Sequence, residues 1–324
     1  MEDLFTLSLA ESTKKAYETG FHLYRHFLDA FGVPNELGCE PVSESLLIQF
    51  STFCHRFRGL QPSTIKLYLC GIRFAFIRRG QANPLCDATG TPHPGLATIL
   101  RAIKRTATPA TRPRLPVTSD LLRQLVVLLK LGTFGPIADL TLETACIVAF
   151  FVFLRCGEFT VKSKFDPAVN LSVASIQFCK KSTSASVTLR SSKTDPFRKG
   201  VTISLFCTKS AICPVHSLST YCVFRRHQGA QPSDPLFVVE SGTALSRTFF
   251  VMHLRGLIAR LGLDQTNYNG HSFRIGAATS AAKAKIEDHL IQTLGRWSSN
   301  CYVRYIHTSP STLQEAQVKM GRCD

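Results

Sequence analysis

The sequence is short of acid. Its 324 residues carry 22 Asp and Glu against 38 Lys and Arg, for a formal charge of +16. Between Arg56 and Arg114 the one acid is Asp87, set against Arg56, Arg58, Lys66, Arg73, Arg78, Arg79, Arg101, Lys104, Arg105, Arg112 and Arg114. That asymmetry favours a polyanionic partner such as nucleic acid, but it gives a class of partner and no mechanism. Long hydrophobic runs are also missing. The longest, ACIVAFFVFL, is about half a membrane span and ends at Arg155, so it reads as a buried core helix and no membrane association is expected. The 12 cysteines include no C-x-x-C pair and follow no signal peptide, which argues against a disulfide framework and for a reducing, intracellular compartment. The nearest approach to a metal site is Cys207, Cys213, His216 and Cys222, whose spacing is too wide for a zinc knuckle. Buried free thiols are the default there, with no metal and no cofactor expected. Internal repeats and low-complexity tracts are absent as well.

With 44% apolar residues, the chain is long enough to bury a sizeable core, and two domains are expected. A first helix is predicted after Ser12, with Tyr17, Phe21, Tyr24, Leu28 and Phe31 on one stripe. FGVPNELG breaks it. A second helix starts near Ser43 with Leu46, Leu47, Phe50 and Phe53, and a third at Ser63, just after Pro62. In the third, Ile65, Leu69, Ile72 and Phe76 face the core, while Lys66 and Arg73 share an adjacent stripe. With Arg78 and Arg79 they make a candidate phosphate-tracking face. Residues 1–108 therefore read as an N-terminal helical domain with a basic face suited to nucleic acid. The Pro-, Thr- and Arg-rich segment 109–116 reads as a linker, and 117–324 as a second domain with a C-terminal tail.

The second domain opens with SDLLRQLVVLLKLG as one helix and LTLETACIVAFFVFLRCGEFTV as another, largely buried. SVASIQFC, ASVTLRSS and GVTISLF are short, β-branched and partly alternating, so a small antiparallel sheet is expected within a mainly α protein. KTDPFRKG joins the last two strands, which puts Lys193 at the mouth of a hairpin. Helical patterns then resume.

Several side chains could carry chemistry. Arg155 ends an apolar helix, where an unpaired guanidinium is costly, and Glu158 three residues on can orient it. In HSFRIGAATSAA, His271 and Arg274 share one helical face, and the small residues that follow allow close packing. In GRWSSNCYVRYIH, Tyr302 and Tyr305 stand three apart, between Trp297 and His307. Together these groups are what phosphoryl transfer through a phenol requires. Guanidinium groups hold the nonbridging oxygens, and a histidine takes the proton of a phenol whose ordinary pKa is about 10. A lysine can protonate the leaving hydroxyl. At roughly 3 kcal/mol per positioned donor, such a set could stand in for a metal ion.

The order LRCGEF, SKTDPFRKG, HSFR and LGRWSSNCYVRYIH resembles the tyrosine recombinase (phage-integrase) family, in particular its eukaryotic DIRS-like and Crypton-type mobile-element branch. STIKLYLCGIRFAF and RPRLPVTSDLL extend the resemblance over nearly the whole chain. It implies an N-terminal core-binding domain and a catalytic domain that form a C-shaped clamp on double-stranded DNA. It also implies four protomers on paired sites, nuclear residence, and strand exchange through a 3′-phosphotyrosyl bond without metal or ATP. On the same resemblance, Arg155 and Arg274 clamp the scissile phosphate, with Glu158 supporting the first. Lys193 is the general acid, His271 the base or proton shuttle, Trp297 fills the position where many relatives have histidine, and Tyr305 is the nucleophile, with Tyr302 as alternative. Ile275 and the Arg296–Trp297 pair depart from the bacterial pattern, and Trp297 lies one residue closer to Tyr305 than usual. The tail, with Ser311, Leu313, Ala316 and Met320, can dock on a neighbouring protomer or cap its own domain. Three other readings stay open: a type IB topoisomerase that relaxes DNA without strand exchange, a domesticated protein that binds DNA without cutting, and a zinc protein.

Overall fold

Proline and small hydroxyl residues set where the helices begin. Pro62, Pro94, Pro136 and Pro214 each occupy a first helical position, where a missing N–H costs nothing. Ser43, Thr118 and Ser246 cap helices by accepting from the backbone N–H three residues on. The computed structural model describes residues 2–33, 42–108, 114–180, 183–192, 195 and 199–308, with 313–314, 317–318 and 320 of the tail. The chain forms two units, Met1–Arg112 and Pro113–Asp324.

The N-terminal unit contains α1 (Glu2–Leu7), α2 (Glu11–Ala30), α3 (Glu44–Arg56), α4 (Pro62–Arg78) and α5 (Pro94–Thr106). Helix α1 has no counterpart in the sequence reading, and α2 begins at Glu11 with Ala10 at its cap, so Ser12 lies inside the helix. The core is aromatic. Tyr24 meets Phe50 edge to face at 5.2 Å and Phe27 meets Phe50 at 5.5 Å, over Leu47, Ile65, Leu69 and Ile72. Phe27 joins this core, whereas the predicted Phe31 stays largely exposed at the helix end. Helices α2 and α4 approach closely because glycine faces the partner on each. A Cβ on Gly20 would lie 2.7 Å from the backbone of Tyr68, and one on Gly71 would lie 2.6 Å from the carbonyl of Tyr17.

The second unit comprises α6 (Ser119–Lys130), α7 (Pro136–Phe151), α8 (Cys156–Phe159), α9 (Pro214–His227), α10 (Arg247–Arg260), α11 (Ser272–Lys283) and α12 (Asp288–Gly295). Its sheet is antiparallel in the order β1-β2-β3, with β1 (Ile176–Phe178), β2 (Ser184–Leu189) and β3 (Val201–Phe206). The register pairs Val187 with both Ile176 and Ile203. The fold is thus mainly α with one small antiparallel sheet.

Most of the segment expected as a linker lies outside the described residues, and its last part belongs to the second unit. Leu115 donates to the carbonyl of Asn267 and Val117 to that of Ser272, so this strand of chain runs along the start of α11. Ser119 then donates to the Ser280 hydroxyl at 3.0 Å. The approach depends on Gly276, where a Cβ would fall 1.8 Å from the Val117 carbonyl oxygen. Among the described residues no helix is long and apolar enough to cross a membrane.

Candidate active site

The predicted single helix from Leu140 to Val161 is in fact two. Helix α7 ends at Phe151, Phe153 takes a left-handed backbone with φ of 52°, and Leu154 donates back to the carbonyl of Ala149. This is a Schellman-type stop with phenylalanine where glycine is usual. Its consequence is chemical, because the Phe153 carbonyl is freed from the helical ladder at the negative end of the helix. Arg155 therefore stands at the cap of α8 and not at the end of the apolar helix. Its backbone N–H and its Nη1 donate to the two oxygens of Glu158, at 2.8 and 3.0 Å.

Helix α11 supplies the next two groups. His271 is its cap residue, and Gly270 lets it sit against α8, since a Cβ there would lie 2.2 Å from the Sγ of Cys156. Arg274, one turn in, is fully buried. Its Nη1 donates to the Phe153 carbonyl and its Nη2 to the Gly295 carbonyl, so the ends of α7 and α12 converge on one guanidinium. Two of its five N–H donors are used in this way.

The third contribution comes from the end of α12. Arg296 is left-handed, with φ of 57°, and Trp297 donates to the Gln292 carbonyl, again a Schellman-type stop with a non-glycine residue. The turn aims the indole inward. The Arg274 guanidinium lies 4.2 Å from the Trp297 ring centre, close enough for cation–π attraction. Gly295 leaves room for that ring, because a Cβ there would be 1.6 Å from it. Arg296 turns back as well, its Nη2 donating to Glu158 Oε2 at 3.0 Å and to the Phe153 carbonyl at 3.3 Å. Its Nε and Nη1 are buried without a partner among the described residues.

The two tyrosines sit on a six-residue 3-10 helix, Asn300–Tyr305, where residues three apart eclipse. Their surroundings differ nonetheless. Tyr302 is only 4% exposed, and burial, helped by a hydrogen bond to Asp288, pushes its phenol above the ordinary value. Tyr305 is half-buried, with its ring 5.2 Å from His271 and 5.4 Å from Trp297. Thr279 holds the chain there, donating to the Tyr305 carbonyl and accepting from the His307 N–H, both at 3.1 Å. A continuous run of contacts therefore joins Arg155, Glu158, Arg296, the Phe153 carbonyl, Arg274, Trp297, Tyr305 and His271.

The centre is strongly positive. Burial, and then the guanidinium groups of Arg114, Arg274, Arg155 and Arg247, push the His271 imidazole down to about 4. Burial, with Arg155 and Arg296 nearby, lowers Arg274 to about 10. Sequence reasoning missed Arg296 and Arg247 as members of this group. Arg247 gives no local signal, since it becomes a neighbour only because its backbone N–H pairs with the Val161 carbonyl.

Lys193 lies outside the described residues. The hairpin stems around it are described. Asp195 accepts from the backbone of Lys199 at 3.1 Å and of Gly200 at 2.7 Å, fixing the turn into β3. Lys66 and Arg73 on α4 and Arg79 just after it are exposed, but Arg79 also donates to the Ala75 carbonyl and lies over the Phe21 ring, while Arg78 is half-buried. In the tail, Ser311 and Ala316 lie outside the described residues, and Leu313 and Met320 are exposed. Cys207 and Cys213 are in contact at 3.5 Å, but among the described residues no three His, Cys, Asp or Glu side chains gather as a metal-binding group.

The fold is shared with solved structures. XerH site-specific recombinase, in a post-cleavage complex with a palindromic difH substrate, superposes with a TM-score of 0.65 over 96% of this chain and 80% of its own, at 16% identity. This chain has the tyrosine recombinase fold. The recombinase fold recurs in the Tn1549 transposon integrase bound to transposon right-end DNA, with a TM-score of 0.62 at 16% identity over 97% of this chain and 94% of that one. It recurs again in a lambda integrase dimer bound to a COC′ core site, with a TM-score of 0.52 at 15% identity over 92% and 72%. No family model and no curated protein matches the sequence.

Proposed function

We propose that the chain is a DNA recombinase that breaks and rejoins strands through Tyr305. The observation that carries this reading is the unbroken set of contacts from the Arg155–Glu158 pair through Arg274 and Trp297 to Tyr305 and His271. The Tyr305 oxygen attacks the scissile phosphorus, a 3′-phosphotyrosyl ester forms, and the bond to the 5′ oxygen breaks. Arg155 and the unused N–H groups of Arg274 receive the nonbridging oxygens, where charge builds in the pentacoordinate state. His271 accepts the phenol proton, and Lys193 returns one to the leaving 5′ oxygen.

The depressed basicity of His271 has a use in this scheme. Four guanidinium groups act on an imidazole that is neutral near pH 7. A bound phosphodiester anion offsets their field and raises the basicity of the ring, so the proton acceptor strengthens when substrate is present. Tyr302, with its proton held by burial and Asp288, is the poorer nucleophile. A partner strand's 5′-hydroxyl then attacks the phosphotyrosine, exchanging one ester for another of similar energy, a step that needs no ATP. The motifs of the mobile-element branch support an origin in a transposable element, action in the nucleus and assembly as a tetramer on paired duplex sites.

The test is incubation with a nicked suicide DNA substrate, a denaturing gel and peptide mapping. The expected product is a covalent adduct on Tyr305. An adduct on Tyr302 moves the nucleophile by one turn, and the absence of any adduct across DNA sequences and salt conditions sinks the strand-cutting reading.

A further inference from the structure

We propose that Arg296 is a positioning residue that sets the spacing between the two phosphate-directed guanidinium groups. The inference rests on the recombinase reading and adds to it a side chain outside the catalytic set. Arg155 is oriented by Glu158, and Arg274 by the Phe153 carbonyl. Among the described residues, Arg296 alone holds both acceptors, through one nitrogen, at 3.0 and 3.3 Å. It therefore ties the Arg155 half of the clamp to the Arg274 half, and a planar guanidinium fixes the angle between two acceptors as a flexible ammonium does not.

The position is costly in two ways, which shows that the arginine is not there to end the helix. A left-handed backbone favours glycine, and a glycine would stop α12 without strain. The side chain also buries two donor nitrogens that have no partner among the described residues, whereas buried donors are ordinarily satisfied. The contacts to Glu158 and Phe153 are what it supplies in return.

Arg296→Gly separates these roles, because it suits the backbone while deleting the guanidinium, and Arg296→Lys keeps the charge without the planar fork. For each, single-turnover adduct formation, DNA affinity and thermal unfolding are measured on a phosphodiester suicide substrate and on one with a neutral methylphosphonate at the scissile position. The expected result is a folded protein with near wild-type affinity whose cleavage falls about 10²-fold, the penalty of small misplacement. That penalty shrinks on the methylphosphonate, which offers the clamp less charge to orient. Wild-type cleavage by both variants, or an equal penalty on the two substrates, overturns the positioning role and leaves the recombinase reading standing. No adduct from the wild-type chain overturns both.

Discussion

The two units solve opposite problems with the same material. In the N-terminal unit, α2, α3, α4 and α5 are uninterrupted helices that each bury an apolar stripe, and the basic groups Lys66 and Arg73 stay on the outer face of α4. In the C-terminal unit the important groups sit where helices stop. Phe153 and Arg296, two of the four described non-glycine residues with positive φ, end α7 and α12 and bring their terminal carbonyls onto Arg274. A regular helix presents a surface that tolerates change. A broken one aims single atoms, and tolerates little.

Four measurements break or sharpen that contrast. The largest effect is expected for Tyr305→Phe, which removes the oxygen proposed to attack and is expected to abolish covalent adduct, whereas Tyr302→Phe is expected to retain it; equal losses would erase the distinction between the two phenols. Arg274→Lys comes next. It loses the paired donors at the meeting point of α7 and α12, and single-turnover cleavage is expected to fall about 10²- to 10³-fold. On the N-terminal unit, Lys66→Ala with Arg73→Ala is expected to leave the melting temperature unchanged. It weakens DNA binding uniformly across sequences, lowering the slope of log K against log salt by about two, one per phosphate contact. Sequence-selective losses would mean that this face reads bases.

The smallest effect is in pH. His271 titrates near 4 in the folded chain against 6.5 in the unfolded one. Between these values the unfolded state binds the extra proton, so stability rises with pH through that window, is fully present above 6.5 and is lost as pH falls toward 4. His271→Gln is expected to flatten that part of the curve in urea titrations, while N-terminal substitutions do not.

Much of the first unit could be read directly from the sequence. Ile65, Leu69, Ile72 and Phe76 are buried on α4 as their spacing demands, and Ser43 caps α3. The three strands and the hairpin between the last two followed from β-branched alternation and turn residues, because hairpin pairing is local. Arg155, His271, Arg274, Trp297 and Tyr305 were legible as candidates through family resemblance. The break after α7 was not, since FFVFLRC continues an apolar helical pattern and nothing in it marks a left-handed phenylalanine. Arg296 was noticed as a departure from the family pattern, but not as a member of the site, because its partners lie more than a hundred residues away at Phe153 and Glu158.

What the sequence determined by itself was whatever depends on neighbours along the chain: helix stripes, caps, the hairpin, the excess of positive charge and the residue types available for chemistry. Only the tertiary structure decided which tyrosine faces His271, which carbonyls hold Arg274 and which acceptors Arg296 reaches. Those outcomes rest on close packing at Gly270 and Gly276, where a single methyl group would push distant segments apart, and at Gly295, where it would displace the Trp297 ring. The chemistry of such a centre is set by differences of a few tenths of an ångström in the separation of groups that are far apart in the chain, and periodicity carries no information about them.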